Sequence, residues 1–427
     1  MTPVADALIA FAQNVSLDAM SAQARTQARL VLLDAMGAAL AARPHRIGEI
    51  VCAHARAMGG PSEASLIGGG RASALAAAYA NGALANAADF DEGSHVATFA
   101  LPAALAMAQR QRASGADFLT AFVTAFEAGS RLKDSIDARG GAQSLAARGF
   151  WSIGIIGPVA SALACARLLR LDEDRTRAAL SLAACAGGGL RLQLGAFAKA
   201  LHSGQAARAG LEAALLAQAG ARGDPRALDH AQGLLSAFAG PNAPDYAPFD
   251  AMRAGALVLD APTKIKAMPV CTPIAPALDA AIALAQAHDL RAQDIARVEV
   301  DFQTHSLFRD LPPDEESAPF CAPYLVAAAL VRRRVTLDET SGKALRDREI
   351  LDLAARVRHE PGASLVVTTA DGRRLEQTLG AVRRLVAQDE IVAKFDACAM
   401  QTLTPRAAED LRARLLDVES LADVSDL

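Results

Sequence analysis

The apolar half of this chain is made of small side chains. Hydrophobic residues are 52 % of the sequence but aromatics only 4 %, so alanine and leucine dominate. Alanine loses no side-chain entropy in a helix and lets neighbouring helices approach closely. The sequence therefore predicts a mainly α protein. At 427 residues it exceeds one comfortable core, which points to two domains or one large domain with a lid.

From Ala5 to about Gly240 the chain reads as successive helices broken by Gly, Pro and Asp: Ala22–Ala42, Ala74–Ala88, Phe118–Ile136, Val159–Leu169, Asp172–Leu190 and Gln205–Ala219. Asp172, Glu173 and Asp174 suit the positive end of a helix dipole. Gly240-Pro241-Asn242-Ala243-Pro244-Asp245 is turn chemistry and a candidate boundary. After a helix near Pro276–Ala287, the stretch Ala296–Phe302 alternates apolar and charged residues, as a half-buried strand does. Leu365–Thr369 and Leu375–Leu379 flank Asp371-Gly372, a hairpin signal, and a helix at about Pro323–Arg334 lies between these strands. The expected organisation is a large all-helical domain, 1–257, and a smaller α+β lid domain, 258–390. The C-terminal 391–427, with a helix at Pro405–Leu416, returns to the helical body.

Lys and Arg total 43 against 47 Asp and Glu, and the run Arg332-Arg333-Arg334 reads as a solvated helix end. A nucleic-acid partner would need a broader basic stripe with aromatic platforms, so none is expected. The six cysteines are widely spaced with no CxxC pair, which fits a reducing cytoplasm and argues against a zinc ribbon or disulfide scaffold. The N-terminus lacks a secretory pattern. Gly149–Ala166, the most membrane-like stretch, holds Pro158 and reads as a buried helix, so no membrane partner is expected.

Two glycine clusters, Gly68-Gly69-Gly70 and Gly187-Gly188-Gly189, fit no phosphate-binding pattern and read as turns or close backbone approaches. The segment Asp89-Phe90-Asp91-Glu92-Gly93-Ser94-His95 is more informative. It suits a solvated loop, or a general base with a carboxylate that orients it. A metal site would want a second His or Cys cluster, and none lies nearby in sequence. In Lys199-Ala200-Leu201-His202, the Lys and His share one face if helical. Such a Lys would steady the charge formed when an α-proton leaves, while a surface Lys and a core His is the plain alternative. Lys266, Cys271 and Tyr324 add an ammonium, a thiol and a phenol; nothing in the sequence lowers the thiol's pKa, so a structural Cys271 is the simpler reading.

The order and spacing of these pieces resemble the MmgE/PrpD family. The match rests on Leu33-Asp34-Ala35-Met36-Gly37, on Asn81-Gly82 through Asp89-Phe90-Asp91 with Leu101-Pro102-Ala103, on Gly149-Phe150 with Gly157, on Lys199 through Gly204, and on Ala322-Pro323-Tyr324 with Val326-Ala327. The resemblance implies a helical domain plus a smaller α+β domain, a pocket between them, a homodimer, and no metal or organic cofactor. It also implies catalytic roles for Asp89, His95, Lys199, Tyr324 and His202. Asp91, Ser94, Arg191, Lys266 and Cys271 are expected to contact substrate.

The chain departs from the family pattern at several points. Asn86 stands where a His is usual, Trp151 follows Gly149-Phe150 in place of His, and Cys271, Thr272 and Ala275 occupy a stretch that often carries a pocket His. The loop between Glu92 and His95 is short. These changes put standard methylcitrate dehydration in doubt. The resulting expectation is a cofactor-free cytoplasmic lyase taking a proton α to a carboxylate of a small polycarboxylate, dehydratase-like. An epimerase of an iminodisuccinate-like dicarboxylate and a cis-aconitate-type decarboxylase are the alternatives. A binding protein on the same scaffold stays open. Convergence of Asp89, His95, Lys199 and Tyr324 in one cleft separates the enzymes from the binding protein.

Overall fold

A computed structural model describes residues 3–137, 140–302, 311–425 and 427. Sixteen α-helices and three small sheets are found among these residues. The protein is mainly α, as its alanine content requires. Helices Ala22–Ala42 and Pro405–Leu416 fall where the sequence places them, and Asp172 caps its helix by accepting from the Arg175 N–H. No described helix is long and apolar enough to cross a membrane.

One hydrophobic cluster takes its residues from Val4 to Ile265 and again from Leu385 to Val424. At its centre Phe197–Gln218 lies between Ala74–Ala87 and Ser152–Leu168. Glycine makes this contact possible. A Cβ on Gly82 would stand 2.8 Å from the Gly204 Cα, and one on Gly204 would stand 2.3 Å from the Tyr79 carbonyl. The two backbones touch where side chains would hold them apart, and this crossing brings Lys199 up to the loop that follows Ala74–Ala87.

A second cluster runs from Met268 to Val367 and packs helices Ala275–Ala287 and Ala322–Arg332 with a four-stranded sheet. The strand order is Val357–His359, Ile295–Val300, Ser364–Thr369, Arg374–Thr378. The Ser364–Thr369 and Arg374–Thr378 pair is the hairpin anticipated around Asp371-Gly372. Ile295–Val300 pairs in parallel with Val357–His359, a partner that the alternation does not reveal.

A two-residue strand matters most for function. Ile265–Lys266 pairs with Arg384–Leu385, and Ile265 also bridges Glu92. The Gly93 N–H donates to the Lys264 carbonyl at 2.7 Å. Lys266 is thereby laid against the Asp89–His95 loop.

Some boundaries differ from expectation. The helix expected from Gln205 begins at Phe197, so Lys199 and His202 are helical. The one expected to reach Leu190 ends at Ala184, because Gly187-Gly188-Gly189 closes over Gly154 and Trp151 with no room for a Cβ on Gly189. Helices Val4–Asn14, Arg46–Ala57, Ala97–Gln111 and Gln388–Ala399 were not individually foreseen.

Candidate active site

The loop after Ala74–Ala87 is strained into place. Asp89 has φ 51° and His95 φ 64°, left-handed values that non-glycine residues seldom adopt and that cluster at functional sites. Glu92 organises the segment between them. Its carboxylate accepts from the Ser94 N–H at 2.6 Å and the Ala97 N–H at 3.1 Å, which caps the start of helix Ala97–Gln111. The Thr98 hydroxyl donates to the His95 carbonyl at 2.6 Å and meets Ser203 at 2.7 Å, tying the loop to the Lys199 helix.

Two lysines converge on Asp89. Lys199 Nζ donates to Oδ1 at 2.6 Å and to the Asn86 carbonyl at 2.9 Å. Lys266 Nζ donates to Oδ2 at 2.7 Å and to the Asp89 carbonyl at 2.9 Å. All three side chains are buried. Burial alone would raise the Asp89 pKa. Lys199, Lys266 and His95 together outweigh it and hold the carboxyl well below the usual carboxylate range. Burial likewise opposes ionisation of Lys266, and Asp89 and Asp91 reverse that, so its pKa is raised.

His95 pairs with the other aspartate. Its Nδ1 lies 2.6 Å from Asp91 Oδ2, and its Nε2 lies 3.9 Å from Asp89 Oδ1. Burial works against the Asp91 charge, but the imidazole at hydrogen-bond distance and the two lysines keep its pKa low. An ionised Asp91 assigns the Nδ1 proton and leaves Nε2 as the reactive nitrogen. The Trp151 ring stands 5.5 Å from the imidazole, and Lys199 Nζ lies 5.8 Å from the Phe320 ring centre.

Asp89, His95, Lys266, Trp151 and Phe320 line one cleft of about 220 Å³, bordered also by Ser94, Lys133, Arg191 and Cys271, while Lys199 and Asp91 back its wall through their pairs with Asp89 and His95. Helix Ser152–Leu168 begins at the cleft wall with no side-chain cap and no acidic residue in its first turn. The Arg191 guanidinium has no carboxylate within 4 Å among the described residues, and the buried Trp151 indole N–H meets no acceptor there. Lys133 donates to the Ser94 carbonyl at 3.0 Å.

Asp89, Asp91 and His95 present ligand atoms within 4.8 Å of one another. Both Asp89 oxygens and one of Asp91 already hold protein donors, so an ion there would have to displace them.

Of the residues singled out from sequence, Asp89, Ser94, His95, Arg191, Lys266 and Cys271 line the cleft, and Asp91 and Lys199 join them by pairing with His95 and Asp89. Two do not. Tyr324 has no exposed surface, donates its hydroxyl to the Glu339 carbonyl at 2.7 Å, and lies in the second hydrophobic cluster. Burial, with Glu339 and Asp347 near, pushes its pKa further up. His202 turns away from the cleft: its Nε2 accepts from the Leu190 N–H at 3.2 Å and its Nδ1 lies 3.2 Å from the Lys199 carbonyl. That pairing fits a neutral ring, and burial lowers its pKa. Cys271 reaches the cleft, but burial and the Asp89 charge push its thiol up to about 12, so it meets substrate as a neutral wall.

Sequence reasoning did not assign a role to Lys133, nor to Lys394, which lies beneath the loop. Asp34 was noted only as part of a resemblance. A lone carboxylate within the buried run Leu30–Ala42 of its helix was the available signal.

Residues 6–247 match the model of the MmgE/PrpD N-terminal domain, and residues 268–418 that of the MmgE/PrpD C-terminal domain. The chain is similar to the cis-aconitate decarboxylase-like protein oryM of Aspergillus oryzae, with 29 % identity over 82 % of this chain and 81 % of that protein. It is also similar to the cis-aconitate decarboxylases of Mus musculus and Homo sapiens, each at 26 % identity over 82 % of this chain and over 77 % and 78 % of theirs.

Proposed function

The chain belongs to the MmgE/PrpD family, and from that premise we propose that it is a lyase that decarboxylates a small unsaturated polycarboxylate of the cis-aconitate kind. The observation that carries this reading is the single imidazole on the cleft wall. Among the described residues, His95 alone offers a histidine there, oriented by Asp91 and 3.9 Å from Asp89, the carboxylate that two ammonium groups hold. Asp89, held far below the usual carboxylate range, is too weak a base for a carbon acid.

Decarboxylation matches this inventory. The bond to the departing carboxylate breaks, its electron pair enters the conjugated system of a neighbouring carboxylate, and carbon dioxide leaves. His95 Nε2–H then gives one proton to carbon and is reprotonated from water, so each turnover consumes one proton. Lys266 on the cleft wall, with Lys199 behind Asp89, supplies fixed positive charge where negative charge grows, and preorganised cations stabilise it without reorganisation. Arg191, the Trp151 N–H and the open start of helix Ser152–Leu168 are the donors left for the other carboxylates.

Dehydration, put first by the sequence, asks for a proton taken from carbon and another delivered to a departing hydroxyl. Epimerisation through two bases asks for groups on opposite faces. Tyr324 and His202, the residues expected to supply the second group, are both turned to other partners. The relatives' names point the same way. The reading is tested with purified protein and cis-aconitate by following carbon dioxide release. Water addition or loss without carbon dioxide would refute it.

A further inference from the structure

Beneath the Asp89 loop a third buried lysine makes contacts that the reaction does not use. Lys394, on helix Gln388–Ala399, donates to the Phe90 carbonyl and, at 3.1 Å, to the Lys266 carbonyl. Its Nζ lies 2.6 Å from Asp34 Oδ1 and 4.0 Å from the Phe90 ring centre. Two of the ammonium's three donors go to these carbonyls, and the Asp34 carboxylate balances its charge at ion-pair distance. Asp34 is fully buried on Ala22–Ala42, and burial, only partly offset by Lys394, raises its pKa to about 6.

The two carbonyls belong to different segments. One follows Asp89 directly in the chain, and the other is that of Lys266 itself. We propose that Lys394, anchored by Asp34, is a positioning residue that sets the spacing between the Asp89 carboxylate and the Lys266 ammonium. This rests on reading the cleft as the reaction site. Asp89 stays in a left-handed backbone conformation that a free chain would relax, and Lys266 sits on a strand only two residues long. Neither segment holds itself in place. A site that must keep charged groups in register needs such support from behind. Lys394 does not line the cleft and reaches its residues only at main-chain carbonyls, so its effect passes through the backbone.

The competing role is an ion pair that only joins helix Gln388–Ala399 to Ala22–Ala42. Removing one partner leaves an unpaired buried charge, whereas removing both is often tolerated. The test is therefore the double variant Asp34→Asn/Lys394→Met, which keeps the net charge, beside Lys394→Met and wild type. Positioning predicts a folded double variant whose kcat falls about 10-fold or more with KM changed less than about 3-fold. It also predicts a displaced His95 titration midpoint by proton NMR, because Asp89 lies 3.9 Å from that ring. The NMR readout needs no substrate, so it stands even if the proposed decarboxylation fails. A double variant that folds with wild-type kcat and an unmoved His95 midpoint overturns the positioning role. If the double variant does not fold, Asp34→Asn alone is read in the same way: an unmoved midpoint overturns the proposal, and a displaced one supports it.

Discussion

His95 Nδ1 lies 2.6 Å from Oδ2 of Asp91, a carboxylate with no exposed surface. The pair fixes which imidazole nitrogen is free. Replacing Asp91 by Asn keeps a hydrogen bond but loses the charge that selects the tautomer. Turnover of Asp91→Asn should fall by roughly 10²-fold or more, and His95→Gln should fall further, since it removes the proton carrier. Steady-state kinetics on both variants checks this, and wild-type turnover in His95→Gln would exclude the imidazole.

Lys199→Ala should lower kcat by about 10²-fold, the scale of losing one charge-stabilising donor. Because Lys199 is buried against Asp89, its loss also leaves that carboxylate with one fewer partner. Thermal unfolding measured beside kinetics separates the two effects. Near-full activity would remove Lys199 from the chemistry.

Tyr324→Phe should leave turnover close to wild type and cost about 1 kcal/mol of stability, from the lost hydrogen bond to the Glu339 carbonyl. A 10²-fold loss of kcat without unfolding would return Tyr324 to the site.

The pH dependence of stability has two opposing parts. The Asp89 and Asp91 pKa values are lowered by folding, so their stabilising contribution is complete above the unfolded value of about 4 and is lost as pH falls through their folded values. Glu127 acts with the other sign. Its pKa is raised to about 7 by burial, despite accepting from the Val258 and Leu259 N–H groups. Its contribution is full below the unfolded value and is lost as pH rises through 7. Denaturant unfolding of Glu127→Gln and wild type should therefore show wild type losing ground to the variant between about pH 5 and 8, by a few kcal/mol at most. A constant difference across that range contradicts the assignment.

Much of this molecule is legible in its sequence, and the reasons are local. Ala22–Ala42 announces itself through Leu30, Leu33, Met36 and Leu40 at helical spacing, and the hairpin through its Asp371-Gly372 turn. The seven-residue Asp89–His95 segment stands out because buried helices rarely give way to so much charge. The start of Phe197–Gln218 was missed because Lys199, His202 and Ser203 look like a polar break, whereas all three are buried. Tyr324 was drawn in by resemblance, and only its hydroxyl's direction, a tertiary fact, excludes it from the cleft. Lys394 was invisible for a related reason. A lysine on a half-polar helix reads as solvated until the partner helix with Asp34 is seen against it.

The most direct test of the central claim uses wild type and His95→Gln with cis-aconitate in deuterated water, following carbon dioxide and the proton NMR spectrum of the product. The account predicts that wild type releases carbon dioxide and places a single deuterium on the carbon that receives the proton, while His95→Gln does neither at a comparable rate. Exchange or inversion without carbon dioxide, or undiminished turnover in His95→Gln, would contradict it.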